Sequence, residues 1–497
     1  MAEKKAKPEE NTGPKLQYGD IKFKSQSTIL DSYISVNNSK FTGPIVKKYS
    51  KKSIEYIELD TDDKLIQFSG FFVLGWMFIF FVISNSFIQF YIMNKSDSHY
   101  FWENSIIWTS MFDKLPFVAL VDLVMYLSMF LCYPIIRTLK AGKKGSRWSK
   151  KIKYTASLFE FVFFFSWMAI IYNLFPENWI TRIFLFLHSI VFLMKIHSYC
   201  YYNGFMSERL RDMVEAEKKL KDSPNDQELI KVFEYSKKEL ENQYDAKHSL
   251  KFPDNISLKN FFTYTTFPVV VYQIYYPRNE RIRWSYVFEK IVAIFGIIFV
   301  MINIAEVFMY PTAVGLIALN NSDEEYKLLK LTLLLTELIP SFITMYVIVW
   351  YLIWDAILNC IAELTRFADR EFYADWWNSV TWDDFSKYWN VTVHKFLLRH
   401  VFHAFKNVKN KKTGKPKYSS LVSMFMTFFI SSIFHELAMF MMFKKKRYYI
   451  FVLQMAQIPL TYIHYKLFKN YPIVANVYFW FSICVGPALV CSLYLAC

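Results

Sequence analysis

The feature that most constrains this chain is the recurrence of apolar runs long enough to cross a lipid bilayer. A hydrocarbon core about 30 Å thick takes roughly 20 helical residues. Runs of that order occur near 66–93, 116–136, 155–175, 179–201, 284–309, 327–358, 419–443, 448–467 and 475–496. In lipid every backbone polar group must be paired inside its own segment, so these runs are predicted helices, not loops or open sheet edges. The expectation is an all-α, polytopic transmembrane protein with about nine membrane helices. Composition agrees, with 54% of the 497 residues hydrophobic and 20% aromatic. No apolar segment contains G-x-x-x-G, so close glycine packing is not the organising device.

The net charge of +15 is unevenly distributed. Eight Lys/Arg and no acid lie between Arg137 and Lys153, and six Lys and no acid between Lys406 and Lys417. Basic loops beside apolar helices mark the cytosolic side of a membrane. With apolar spans flanking both patches, nucleic-acid binding is disfavoured and the polar N-terminus falls in the cytosol. The expected organisation is a partly disordered cytosolic tail over 1–64 and a membrane-embedded domain over 65–497. That domain includes a charged cytosolic helical hairpin at about 206–250, broken at "SPND". The six cysteines sit in or beside apolar runs without C-x-x-C spacing and read as small buried hydrophobes.

One apolar run carries chemistry. In "SSIFHELAMFMMF" (Ser431 to Phe443), His435 and Glu436 are the only ionisable side chains between Leu421 and Phe443. A charged residue at a membrane helix centre costs roughly 2.5–3.5 kcal/mol on insertion scales, and ionisable residues there mark functional sites by default. Met439 stands where a zincin would need its second histidine, which excludes that zinc site. A neutral histidine in a partly buried channel suits a general base acting on an alcohol, and the surrounding Phe and Met suit a lipid-soluble substrate. Ser431, one turn before His435, shares its face and offers a competing nucleophilic reading. "KKKR" at 444–447 follows this run while a basic loop precedes it. A re-entrant or tilted segment, or a failure of the positive-inside rule, is therefore expected there.

A second constellation spans 367–405, where Tyr373, Trp376, Trp377 and Trp389 surround Asp375, Asn378 and Asn390, with His394, His400 and His403 downstream. Interfacial packing explains part of this, and seating a charged amphipathic ligand is the alternative. "HVFH" lacks a carboxylate or thiolate beside it, so a metal site is not expected.

"FYADWWN" (Phe372 to Asn378) resembles the F-Y-x-D-W-W-N motif of membrane-bound O-acyltransferases that esterify sterols and diacylglycerol. "YWNVTVHKFLLRH" and "SSIFHELAMF" follow in that family's order, and "LMKIHSYCYYNG" (Leu193 to Gly204) is similar to a sterol-acyltransferase stretch. The "FADR" before the motif looks like the sterol enzymes, where diacylglycerol enzymes tend to have F-G-D-R, and "HSY" after "MKI" and "HELAMFMMFKK" look like the fungal sterol enzymes. The resemblance implies acyl transfer from long-chain acyl-CoA to a sterol 3β-hydroxyl at the endoplasmic reticulum membrane. His435 would be the catalytic base and Asn390 its assistant. Phe372, Tyr373, Asp375, Trp376, Trp377, Asn378, Trp389, His394, Ser431 and Glu436 are candidates for acyl-CoA or sterol contact. It implies no metal and no cofactor beyond the acyl-CoA co-substrate, and a homo-oligomer, dimeric or tetrameric, in membrane lipid. Diacylglycerol as acceptor is the enzyme alternative. A proton-coupled transporter is the alternative from another class, disfavoured because only one ionisable cluster is expected at depth.

Overall fold

The computed structural model describes residues 105–140, 148–242, 250–320, 326–408, 416–468 and 471–496. The tail at 1–64 and the first expected span at 66–93 lie outside the described residues. The described residues are mostly helical and form no strand; an isolated bridge joins Arg278 and Phe367. The elements are α1 (Ile106–Phe112), α2 (Leu115–Arg137), α3 (Lys150–Leu174), α4 (Trp179–Asp222), α5 (Gln227–Asn242) and α6 (Leu258–Thr266), then α7 (Trp284–Leu319) and α8 (Lys327–Leu364). The short α9 (Trp382–Tyr388) and α10 (Val391–Leu397) follow, then α11 (Ser420–Phe443), α12 (Tyr449–Phe468) and α13 (Pro472–Ala496). Side chains at the N-cap start several of them, with Ser149, Asn178, Thr381 and Ser419 each accepting an amide of the first turn.

Seven helices among the described residues are long and apolar enough to cross a membrane: α2, α3, α4, α7, α8, α11 and most of α13. The run expected at 448–467 does form a helix, α12, but Gln454, Gln457, His464 and Lys466 leave it too polar to join them. The expected count of nine is therefore seven here, with one run too polar and one outside the described residues. α11 is unbroken over 24 residues, about 36 Å at 1.5 Å per residue, which is spanning length and not a re-entrant loop. The charged hairpin also differs from expectation. Its first arm is the continuation of the span that begins at Trp179, one helix of 44 residues, about 66 Å long. The turn falls at Ser223–Asp226, and α5 packs back along α4. The guanidinium of Arg209 there lies over the rings of Phe205 and Tyr235.

Ionisable groups inside the spans are more numerous than the single expected cluster, and several are paired across helices. Asp122 of α2 meets His188 Nδ1 of α4 at 2.7 Å, and Glu160 of α3 meets His197 Nδ1 of α4 at 3.0 Å. Lys290 of α7 pairs with Asp355 of α8 at 2.7 Å, both buried, and Tyr373 donates to the other oxygen of Asp355 at 3.2 Å.

Other charged side chains close helix ends. Glu306 in α7 accepts Ser105 Oγ and Ile107 N at the start of α1, both at 3.0 Å. Glu363 in α8 accepts Arg283 N at 2.7 Å, at the N-cap of α7, and pairs with the guanidinium of Arg370. Lys195 in α4 donates to the carbonyls of Thr265 and Phe267 at the end of α6.

Candidate active site

His435 sits in the middle of α11, and its Nδ1 lies 2.8 Å from the backbone carbonyl oxygen of Ser431. A carbonyl can only accept, so Nδ1 carries the proton and Nε2 of the neutral ring holds a free lone pair. No hydrogen-bond partner meets Nε2 among the described residues. His435 is exposed although Ser432 and Glu436 beside it are buried. Phe434 and Phe440 pack against Phe164 and Tyr172 of α3, forming an apolar wall next to it.

Ser431 contributes its carbonyl to His435, and no hydrogen bond joins its hydroxyl to the ring among the described residues. The buried Ser432 donates to Phe428 O at 2.8 Å. The nucleophilic alternative therefore has no supporting geometry. Glu436 faces away from this chemistry. Its carboxylate is 8% exposed and accepts Tyr448 N at 2.9 Å, Phe451 N at 3.3 Å and the Tyr494 hydroxyl at 2.9 and 3.0 Å. It caps α12 and ties α11 to α13.

The far end of α11 is held by a residue that the sequence reading missed. Arg182 of α4, 3% exposed, donates to Met441 O at 2.7 Å and Met442 O at 3.0 Å, and also to the carbonyls of Phe175 and Pro176. Lys444 then leaves the helix in the left-handed region at φ 57°, with Lys444 and Lys446 over the Tyr172 and Phe440 rings. Cations at a helix C-terminus complement its dipole. This is the local account of "KKKR" following a spanning helix.

Asn390 is the N-cap of α10, its Oδ1 accepting Val393 N at 3.1 Å. The Nδ2 amino group has no partner among the described residues, and no hydrogen bond there joins Asn390 to His435. Backbone pairing from Val391 N to Phe372 O (3.0 Å) and from Ala374 N to Tyr388 O (2.9 Å) sets Asn390 directly against the "FYADWWN" loop.

Most of that loop is packed inward. Phe372, Tyr373 and Trp376 are buried in a cluster with Trp350, Phe479 and Ile483. The Trp377 carbonyl accepts Asn476 Nδ2 and Trp480 Nε1 of α13. Trp389 is stacked on Tyr346 at 4.4 Å. Asp375 is half-buried at the start of a single turn, and Asn378 is exposed.

His394 lies one turn after Asn390, and its Nε2 is sealed from solvent without a partner. Burial pushes its pKa down to about 4. His403 is likewise lowered to about 4 by burial, and His400 well below its ordinary value for the same reason. All three are neutral at pH 7. Among the described residues no group of three or more His, Cys, Asp or Glu is arranged to hold a metal.

The sequence reading also left unassigned a polar junction between α4 and the π-helical turn Leu398–Phe402 that continues α10. Ser198 Oγ lies 2.9 Å from His400 Nε2 and accepts Tyr272 N at 2.8 Å, while the His197 and His400 rings meet edge to face at 5.0 Å. This turn packs against α11. The available signal was an ionisable residue inside an apolar run, as at Asp122, Glu160, Arg182, Lys195 and His197.

Seven helices of spanning length among the described residues, one of them carrying a histidine with an open Nε2, define a polytopic helical membrane protein. Residues 105–496 match the MBOAT, membrane-bound O-acyltransferase family, and this chain belongs to it. The chain is 43% identical to Sterol O-acyltransferase 2 of Saccharomyces cerevisiae, over 94% of its own length and 72% of the relative's. It is 37% identical to Sterol O-acyltransferase 1 of the same yeast, over 96% and 81%. Diacylglycerol O-acyltransferase 1 of Dictyostelium discoideum is 29% identical, over 64% and 46%.

Proposed function

We propose that this chain transfers the acyl group of a long-chain acyl-CoA to the 3β-hydroxyl of a sterol, with His435 as general base. The observation that carries the mechanism is the His435 Nδ1 bond to Ser431 O, which leaves Nε2 as the open acceptor. Nε2 takes the hydroxyl proton as the sterol oxygen attacks the thioester carbonyl carbon. Asn390 Nδ2 donates to the oxyanion, a contact worth about 2.7–4 kcal/mol in other enzymes. The C–S bond then breaks, and the imidazolium returns its proton to the CoA thiolate, giving steryl ester and free CoA. No metal, covalent intermediate or further cofactor enters these steps. Excluding water beside the apolar wall of α3 and α11 limits thioester hydrolysis.

Sterol is favoured as acceptor by the two yeast relatives, whose names specify it and which the chain matches over most of both lengths. The relative named for diacylglycerol is more distant. The transporter reading is disfavoured because the buried ionisable groups Lys290, Asp355, Glu363 and Glu436 close on one another or on helix ends. An endoplasmic reticulum location with a cytosolic N-terminus, and assembly as a dimer or tetramer, belong to the same proposal.

The test uses membranes from cells lacking neutral-lipid synthesis, supplied with labelled oleoyl-CoA and either sterol or diacylglycerol. Label is expected in steryl ester, reduced about 10²–10⁴-fold by His435→Ala. Label in triacylglycerol instead would overturn the acceptor. Full activity of His435→Ala would overturn the base.

A further inference from the structure

We propose that Tyr494, in the last turn of α13, is a positioning residue for acyl transfer, acting through Glu436 on the helix that presents His435. This rests on reading His435 as the base. Three elements converge on one carboxylate. Glu436 comes from α11, the amides of Tyr448 and Phe451 from the start of α12, and the Tyr494 hydroxyl from α13. The hydroxyl lies 2.9 and 3.0 Å from the two carboxylate oxygens and is the side-chain donor among these contacts. Tyr494 is fully buried, its ring stacked on Phe443 at 5.2 Å and edge-on to Tyr449 at 5.4 Å.

A helix held only by apolar contacts is free to turn and slide by small amounts. A charge-assisted hydrogen bond removes that freedom, because a buried carboxylate keeps its donors at fixed distances. Glu436 is one residue from His435, so a rotation of α11 that satisfies Tyr494 also sets the bearing of the imidazole. Arg182 fixes the same helix along its axis by gripping Met441 O and Met442 O. The two devices leave His435 between a rotational and an axial restraint. Misplacing a reacting group by about 1 Å costs about a hundredfold in rate. The Tyr494 hydroxyl therefore bears on turnover and not on substrate affinity.

The experiment compares Tyr494→Phe, Glu436→Gln, Glu436→Ala and the double variant Tyr494→Phe/Glu436→Ala, with His435→Ala in the same set, in membranes at matched folded enzyme. Folded enzyme is quantified by fluorescence-detected gel filtration in detergent. Tyr494→Phe keeps both ring contacts and is expected to lower kcat about tenfold with the KM for oleoyl-CoA unchanged. Glu436→Gln retains an acceptor for the hydroxyl and is expected to keep more activity than Glu436→Ala. The double variant is expected to be no worse than Glu436→Ala alone, since both changes break one link.

Wild-type kcat in Tyr494→Phe, or effects that add in the double variant, would overturn the proposal while leaving His435 as base. A loss explained wholly by less folded enzyme, or appearing in KM, would also overturn it. Full activity of His435→Ala would overturn the base reading and this proposal together.

Discussion

At position 435 a polar ring is made tolerable in a membrane helix by the backbone itself, since Nδ1–H donates a hydrogen bond to the carbonyl oxygen one turn back. That i−4 relation is visible in the sequence once a helix is assumed. The role of Glu436 is not, because its partners lie 12, 15 and 58 residues further along the chain. His394 shows the opposite economy, with one ring nitrogen sealed and unpaired. Its pKa of about 4, against an ordinary 6.5, means that the unfolded chain binds the extra proton first as pH falls. Stability contributed at this site is therefore intact above about pH 6.5 and declines as pH falls toward 4. Melting of the detergent-solubilised enzyme is expected to show that decline between pH 6.5 and 4.5, and His394→Gln is expected to flatten it. An unchanged slope in the variant would assign the proton uptake to another group.

Among the helices, charged side chains in one span close the ends of other helices. Glu306, Glu363 and Glu436 accept amides at the starts of α1, α7 and α12, and Arg182 and Lys195 donate to carbonyls at the ends of α11 and α6. The physical reason is that helix ends leave amides and carbonyls unpaired, and water is not there to meet them. Span length was legible from run length, because it depends on local composition alone. The caps were not, because the Arg182 pairing with α11 bridges about 260 residues. Continuity of α4 past Gly204 was also missed. The loss of hydropathy there marks the end of the apolar part, but the following residues are good helix formers and simply continue. Arg182→Met is expected to leave its buried carbonyls unpaired and to cost at least about 3 kcal/mol, at roughly 1–3 kcal/mol per group. Thermal melting would read this as a large fall, with Arg182→Lys intermediate because its ammonium lacks the forked geometry. Gly204 makes a separate prediction. A Cβ there would stand 2.5 Å from the Trp148 indole, a ring and not a flexible tip. Gly204→Ala is expected to destabilise by about 1–3 kcal/mol through overpacking, measured by the same melting.

Across the described residues, two buried clusters meet along the segment 250–283, which holds α6 and the irregular stretches on either side of it and on which the sequence reading was silent. One cluster joins α2, α3, α4, α6 and Met441 of α11; the other joins the end of α8, the "FYADWWN" loop and α13. Val269 and Tyr276 pack against both. In the first cluster Tyr272 is fully buried, with the rings of Tyr199, Tyr202 and Tyr264 edge-on about it at 4.9 to 5.0 Å. Its amide meets Ser198 and its carbonyl meets Arg399, so the backbone here joins α4 to the π-helical turn beside α11. Its hydroxyl accepts Asn255 Nδ2 at 3.0 Å and donates to Asn260 Oδ1. No periodicity marks such a residue, because its importance lies in contacts from four elements and not in a helical face. Tyr272→Phe removes the hydroxyl but keeps the ring contacts and both backbone links. It is expected to cost about 1–3 kcal/mol from partners left unpaired, with catalysis per folded molecule unchanged at low temperature. Tyr272→Ala also opens a cavity, adding about 3–5 kcal/mol by analogy with buried Phe truncations. Because Val269 and Tyr276 of the same segment pack against both clusters, both should loosen together. Limited proteolysis on heating is expected to cut α3 and the 367–378 loop at the same temperature in each variant. Cleavage of one region well before the other would mean that the two clusters melt independently and that the segment between them is a spacer.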